Sequence, residues 1–550
     1  MSTITPGQLS ALPPTYFTAV VAGQNSSAWQ MSGMRGRTPP CPPGSSGNGR
    51  GSDDFSITIN ELMKTSDVKF GTSGARGLAH KMTDFVCFAY TMGFLQYLFN
   101  NEQIKKGDAV AIAGDLRPST SRIMTAVSTA ASYLGYQVIN TGTIPSPAAA
   151  FYGIQRGIPS VMVTGSHIPD DRNGIKFNKA NGEILKDDEA GIRKQAVRIP
   201  LSLFNENGFL TEEARQPLGN VERNAEEMFI KRYLDLFSAS ALVGKRVGLY
   251  QHSAVGRDML HRVLADLGAK VTCLGRSEKF IPVDTEAIRD EDVKLAKQWA
   301  KEHGFDAIVS TDGDSDRPLV AGCDGKWLRG DVLGILVAKF LNADSVTTPV
   351  SSNTAVEKLG AFKEVNRTRI GSPYVISSMM RAVEAGFRRV VGYEANGGFL
   401  TATDMDLEDK MLSALPTRDA FLPILSAILL ADSEGKTIEE LVTTLPARFT
   451  ASNRLKNFAT ERSKAILAKF DSGDRSADLA AVNAVFGKQF GQAADVDYTD
   501  GIRITFENGE IVHLRPSGNA PEFRVYSEAS SEDRAREIND IGLDIVRGLG

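Results

Sequence analysis

Cysteine is scarce: Cys41, Cys87, Cys273 and Cys323 are the four in 550 residues. They are too few and too scattered for a disulfide framework or a zinc cluster. An excess of one charge is missing too. Lys and Arg number 62 against 66 Asp and Glu, a net charge of −4, so no global field points to nucleic acid or an anionic membrane. No apolar run reaches the ~18 residues a membrane helix needs. The start of the chain lacks a basic segment followed by a clean apolar stretch, so no secretory signal is expected. These absences describe a soluble cytoplasmic protein with neither a nucleic-acid nor a membrane partner. What is present is an ordinary globular composition, 42% hydrophobic and 23% charged. That excludes wholly disordered, collagenous and coiled-coil chains. At roughly 150 residues per domain the length calls for about four domains.

The first sixty residues differ from the rest. From Met31 to Asp54 the chain is dominated by Gly, Pro and Ser, with little apolar recurrence. Such a stretch buries too little surface to offset its ordering entropy, and 1–60 is expected to be a disordered extension. A repeat follows. Asp108–Asp115 is a short apolar run ending in a polar loop. Ile123, Val127, Ala130 and Leu134 then recur at helical spacing, Gly135 closes the helix, and QVINTG makes a second strand. The same order returns from Lys245 and from Asp344. Three strand–helix–strand copies argue for three similar α/β/α domains with mixed sheets, related by duplication. The last hundred residues alternate apolar and polar around an Asn508-Gly509 turn, a hairpin signal, and end in a helix from about Ser531. The expected division is 61–218, 219–322, 323–438 and a C-terminal α+β domain, 439–550.

Five loops carry candidate chemistry. Asp312-Gly313-Asp314-Ser315-Asp316-Arg317 follows the apolar run FDAIVST. Three carboxylates at alternate positions off a strand end make an oxygen site for a hard divalent cation, and the adjacent arginine suits a phosphate. An EF-hand is excluded, because position six is Arg317 rather than Gly and position twelve is Cys323 rather than Glu. Thr164-Gly165-Ser166-His167-Ile168-Pro169, with Lys176 downstream, offers a nucleophilic hydroxyl beside a base. Arg515-Pro516-Ser517-Gly518-Asn519 combines a guanidinium with a hydroxyl, an amide and turn N–H groups, as a phosphate clamp does. Glu394 and Asn396 in GYEANGG suit pairs of sugar hydroxyls, and FGTSGARG is a Gly-rich loop bearing Arg76. Taken singly, each also reads as a solvated turn, a capping pair or a decorated hairpin loop.

Together, and in this order, KFGTSGARG, GDLRPS, TGSHIP with NGIK, DGDSDR, GYEANGG and RPSGNAPEFR resemble the α-D-phosphohexomutase superfamily, the phosphomannomutases and phosphoglucomutases. The resemblance spans about Asp67 to Gly550. It implies four domains around a central cleft and a Ser166 that carries a phosphoryl group. It further implies one Mg²⁺ held by Ser166, Asp312, Asp314 and Asp316. A hexose phosphate would be isomerised between its 6- and 1-phosphates through a hexose 1,6-bisphosphate. Lys176 or His167 would serve as general acid/base, and Arg76 and Arg317 would steady the developing charge. Glu394 and Asn396 would hold the sugar's 3- and 4-hydroxyls. Arg515, Ser517, Gly518 and Asn519 would grip the phosphate that is not being transferred. A hinge near Asp432–Lys436 would let the last domain close. Two loops depart from the family pattern: Ile168 stands where many members have Asn, and Asn396 and Gly398 stand where bacterial members often carry Ser and His. Mannose phosphates are the favoured substrates, with glucose and glucosamine phosphates next. A Mg²⁺-dependent sugar phosphatase is the rival chemistry.

Overall fold

Each repeat begins with a short run buried on both faces, and such a run pairs as the inner strand of a parallel sheet. The computed structural model describes residues 54–517 and 522–549. In the first repeat, Ala109–Gly114 pairs in parallel with Gln137–Thr143 on one side and Ser160–Val163 on the other. Parallel neighbours require a crossover, and the helix Thr120–Tyr133 provides it. In the second repeat, Arg246–Tyr250 lies between Lys270–Leu274 and Ala307–Thr311. In the third, Ser345–Pro349 lies between Glu364–Thr368 and Val390–Tyr393. Each sheet then gains an antiparallel return strand beside the third: Arg172–Lys179, Pro318–Ala321 or Phe399–Thr401. The expected glycines end the crossovers, with φ of +85° at Gly135, +97° at Gly268 and +64° at Gly360. The third crossover helix is only one turn, Ala355–Lys358.

The three mixed sheets and their helices realise the α/β/α reading. They are not isolated units. One apolar cluster runs from Met162 on the first sheet through Val309 on the second to Val391 on the third, and continues along the helices Gly330–Phe340 and Phe421–Ser433. The fourth unit is α+β: five antiparallel strands in the order Phe449–Lys456, Glu522–Ala529, Ile511–Pro516, Ile502–Phe506, Ala493–Asp497. The helix Glu532–Leu549 covers them, and the core is their own. The Asn508-Gly509 turn joins two of these strands as expected, with Gly509 at φ +79°.

Two expectations need correction. Of the extension 1–60, residues 1–53 lie outside the described residues, but 54–60 are ordered. Asp54–Thr58 pairs antiparallel with Ala196–Pro200, and a capping box of Thr58 and Glu61 starts the helix Ile59–Ser66. The reason is period-2 patterning: Phe55 and Ile57 point into the first core while their neighbours face out. The boundary at 439 also moves, and the segment expected as a hinge lies within packed structure. Asp432–Lys436 joins two packed helices, Phe421–Ser433 and Ile438–Thr443, and Ile438 and Leu441 belong to the shared core. The chain crosses to the fourth sheet just after them, before Phe449.

The fourth core holds a titratable group. His513 is buried, its Nε2 lies 2.6 Å from the Asp500 carbonyl oxygen, and its Nδ1 has no hydrogen-bond partner. Burial holds its pKa down to about 4, against the pull of the Asp500 bond. The unfolded imidazole titrates near the ordinary 6.5. The stability that comes from keeping it neutral is therefore complete above that pH and is lost as pH falls toward 4, at most about 3 kcal/mol. His513→Gln is expected to flatten this acid limb when the denaturation midpoint is followed from pH 7 to pH 4. Parallel profiles for the two proteins would count against the assignment.

Candidate active site

Ligand sites in parallel sheets gather at the carboxyl ends of strands. Here all three repeats place a loop between the third strand and the return strand: Ser166 follows Ser160–Val163, Asp312 follows Ala307–Thr311, and Glu394 follows Val390–Tyr393. Each loop turns through one left-handed residue: Ser166 at φ +56°, Ser315 at φ +58° and Gly397 at φ +88°. For the two serines this conformation is uncommon and costs on the order of 1–3 kcal/mol, a strain that collects at functional sites.

The Ser166 loop is held by a residue that sequence reading quoted only within a motif. Arg117 is fully buried and forms an ion pair with Asp115 at 3.0 Å. Its guanidinium donates to the carbonyl oxygens of Ser166 and Ile168 (both 2.6 Å), Pro169 (2.7 Å) and Arg172 (3.0 Å). Asp115 also accepts from Thr164 Oγ1 at 2.7 Å, and that hydroxyl accepts from the Ser166 N–H at 2.8 Å. Gly165 is required by this packing, since a Cβ there would lie 2.6 Å from the Arg117 guanidinium carbon.

So held, Ser166 donates from Oγ to Asp312 Oδ2 at 2.7 Å and lies 3.3 Å from His167 Nδ1. Arg317 Nη1 donates to that same Nδ1 at 3.0 Å. Burial, with Arg317 next, depresses the His167 pKa to about 3, so the imidazole is neutral. Lys176 Nζ donates to Asp314 Oδ2 at 2.5 Å and Asp316 Oδ2 at 2.7 Å, and Ser146 Oγ also donates to Asp314 Oδ2, at 2.5 Å. Burial alone would discharge Lys176, but Asp314 and Asp316 more than reverse that and raise its pKa. Burial and the two neighbouring carboxylates push Asp312 well above the ordinary range. Burial would raise Asp316 as well, but Arg418, Lys176 and Arg317 hold it far below.

One carboxylate oxygen from each of Asp312, Asp314 and Asp316 lies within 4.8 Å of the others. Asp314 Oδ1 and Asp316 Oδ1 are buried without a hydrogen-bond partner. A desolvated anionic oxygen with no partner is costly, so this all-oxygen set fits a hard divalent cation such as Mg²⁺. Arg76 completes the basic lining: among the described residues its side chain has no hydrogen bond or ion pair. Burial, with Arg317 next, lowers its pKa to about 10.

Four stretches match the domain families of one enzyme class: phosphoglucomutase/phosphomannomutase alpha/beta/alpha domain I over residues 67–201, domain II over 227–325, domain III over 329–449, and the C-terminal domain over 461–542. A phosphomannomutase of Salmonella muenchen is 42% identical over 88% of this chain and 97% of its own. The chain belongs to the phosphoglucomutase/phosphomannomutase family. A phosphomannomutase of Sinorhizobium fredii is 41% identical over 87% and 98% of the two chains. The fold matches a solved phosphoglucomutase/phosphomannomutase family protein from Burkholderia thailandensis with a TM-score of 0.67, at 16% identity over 90% and 98% of the chains.

Within this family member the expected residues divide into two groups. Ser166, His167, Lys176, Asp312, Asp314, Asp316 and Arg317 are joined by the bonds above, and Glu394 joins them through Arg418, which donates to both Asp316 and Glu394 at 3.0 Å. Asn396 shapes its own loop: its Oδ1 accepts from Gly398 N at 3.0 Å, and its Nδ2 has no hydrogen bond among the described residues. The room beside Gly398 is filled by the aliphatic stem of Arg418. Arg515 stands apart, its side chain bonded to Asp500 rather than to this cluster. Arg515 donates to Asp500 at 2.8 Å and lines a cavity of about 200 Å³ with Arg369, Ile370, Tyr374 and Tyr498. Gly518 and Asn519 lie outside the described residues. Sequence reading passed over Ser146 and Arg418. Ser146 opens an apolar helix and Arg418 sits at an ordinary polar strand end, and only their partners, far away in sequence, reveal their place.

Proposed function

We propose that the chain is a phosphomannomutase, interconverting mannose 6-phosphate and mannose 1-phosphate through phosphorylated Ser166 and a hexose 1,6-bisphosphate. The observation that carries this reading is the Ser166 hydroxyl bonded 2.7 Å from Asp312 within a buried three-carboxylate cluster. Relatives 41–42% identical over nearly the whole domain set bear the mannose name.

Phosphoryl transfer calls for positioning and charge neutralisation more than for covalent machinery. Once phosphorylated, Ser166 loses its P–Oγ bond as the free sugar hydroxyl forms a new P–O bond, and the hydroxyl proton passes to a neighbouring base. The bisphosphate then reorients, and Ser166 Oγ takes the other phosphoryl group. His167 stands beside Oγ, able to accept a proton once Arg317 turns from its Nδ1 to the transferring group, and charged Lys176 is available to donate one. Arg76 and Arg317 face the charge that develops. Asp312, Asp314 and Asp316, with a phosphoryl oxygen on Ser166, would hold a Mg²⁺, which would supply charge neutralisation for the transferring group. Glu394 and the free Asn396 Nδ2 hold the sugar's 3- and 4-hydroxyls. Arg515, Ser517, Gly518 and Asn519 hold the distal phosphate.

Coupled assays with mannose 1-phosphate, glucose 1-phosphate and glucosamine 1-phosphate, each with Mg²⁺ and catalytic bisphosphate, test the proposal. The highest kcat/KM is expected with mannose 1-phosphate. A higher value with another sugar would overturn the substrate, and steady release of inorganic phosphate without isomerisation would overturn the reaction.

A further inference from the structure

Arg418 comes from the strand Leu415–Asp419 and is buried, with 3% of its side-chain surface exposed. Its Nε donates to Asp316 Oδ2 at 3.0 Å; its Nη1 donates to Glu394 Oε2 at 3.0 Å and reaches Ser372 Oγ at 3.3 Å. Ser372 Oγ donates in turn to Glu183 Oε2 at 2.8 Å, and Thr417 Oγ1 donates to Glu183 Oε1 at 2.5 Å. Glu183 belongs to the first sheet, Asp316 to the loop of the second, and Glu394 to the loop of the third. Side chains from the second and third repeats thus close on one guanidinium, and Glu183 of the first reaches it through Ser372.

Arg418 occupies one oxygen of each carboxylate and leaves the other. Asp316 Oδ1 is buried without a hydrogen bond, 3.5 Å from Arg317 Nε, and Glu394 Oε1 has no protein donor among the described residues. A planar guanidinium spans two carboxylates in fixed geometry, which an ammonium does not. The neighbourhood is shaped around it. A Cβ on Gly398 would lie 2.4 Å from Arg418 Cδ and 2.7 Å from its Cγ, and the Gly398 backbone is not left-handed. Glycine is needed at 398 to make room for this side chain.

We propose that Arg418 is a positioning residue of the transfer, setting the sugar-reading oxygen of Glu394 and the cation-facing oxygen of Asp316 in one rigid frame. This rests on the mutase reading. In that reading Asp316 faces the transferring group and Glu394 faces the ring, so their mutual orientation fixes which hydroxyl meets the phosphoryl centre.

The test is a double-mutant cycle in the full-length enzyme, read as kcat and KM separately for mannose 1-phosphate. Arg418→Lys keeps the charge and should lower kcat/KM by about 100-fold, through both a lower kcat and a higher KM. In Glu394→Ala enzyme the same change should cost only about tenfold, because the Asp316 half of the frame is all that is left to lose. Gly398→Ala leaves every charged group in place and displaces only the Arg418 stem. It should reproduce at least about a tenfold loss, and should add nothing to Arg418→Lys. Losses that multiply independently, together with a matching fall in the denaturation midpoint, would show a merely structural arginine and overturn the proposal. Unmodified enzyme is the control: failure to isomerise mannose phosphates would overturn the mutase reading, whereas normal turnover with multiplying losses would overturn this inference alone.

Discussion

Ser166→Ala is expected to reduce isomerisation by on the order of 10⁵-fold, the scale on which removing a covalent nucleophile acts. The change is chemically narrow. Alanine and serine share the cost of the left-handed conformation at 166, so the backbone strain barely changes. The lost hydroxyl ends one hydrogen bond to Asp312 Oδ2, a carboxylate pushed toward its protonated form by burial and its neighbours. The denaturation midpoint should therefore move little while turnover collapses. Mass spectrometry supplies the second readout: the unmodified chain should carry a phosphate adduct on the peptide containing Ser166, and the variant should not. Residual turnover above about one per cent would mean that the phosphoryl group travels by another route.

Arg117→Lys should lower both stability and rate. Arg117 satisfies Asp115 and four carbonyl oxygens spread over the loop from Ser166 to Arg172. A lysine keeps the charge but has three donors on a single nitrogen, which do not reach acceptors laid out around a planar fork. Buried acceptors left unsatisfied beside a loosened ion pair cost about 3 kcal/mol. The kinetic loss follows from position: a nucleophile displaced by about an ångström loses on the order of 100-fold in kcat. Denaturant unfolding together with steady-state kinetics tests both halves. A destabilised enzyme with unmodified kcat would show that Arg117 supports the fold without aiming Ser166.

The repeats are legible because the first two inner strands are mainly apolar runs that stop at a polar loop, and the third, SVTTP, is β-branched and stands in the same order before a helix and its closing glycine. The strand Asp54–Thr58 was obscured by the Gly- and Ser-rich segment before it, although its alternation is visible once Phe55 and Ile57 are read as a pair. The end of the third unit was misplaced because TIEELV opens with a capping box, Thr437 with Glu440, which signals the start of a helix but not the core it joins. At the site, Ser166 and the three aspartates stand out as motifs. Arg418 does not, since PTRDA reads as an ordinary polar strand end, and its partners lie 102 and 24 residues away. Spatial convergence of that kind has no local imprint.

The three repeats place three equivalent strand-end loops side by side, and each holds a different set of groups: one bears Ser166, one the three aspartates, one Glu394 and Asn396. Anchored on separate sheets, such loops are free to diversify one at a time, so a change of sugar need not disturb the aspartates. The guanidinium lodged between the second and third loops is the exception to that modularity. Any lineage that rewrites the third loop must accommodate this side chain or give it up, which makes positions 398 and 418 a pair to be exchanged together.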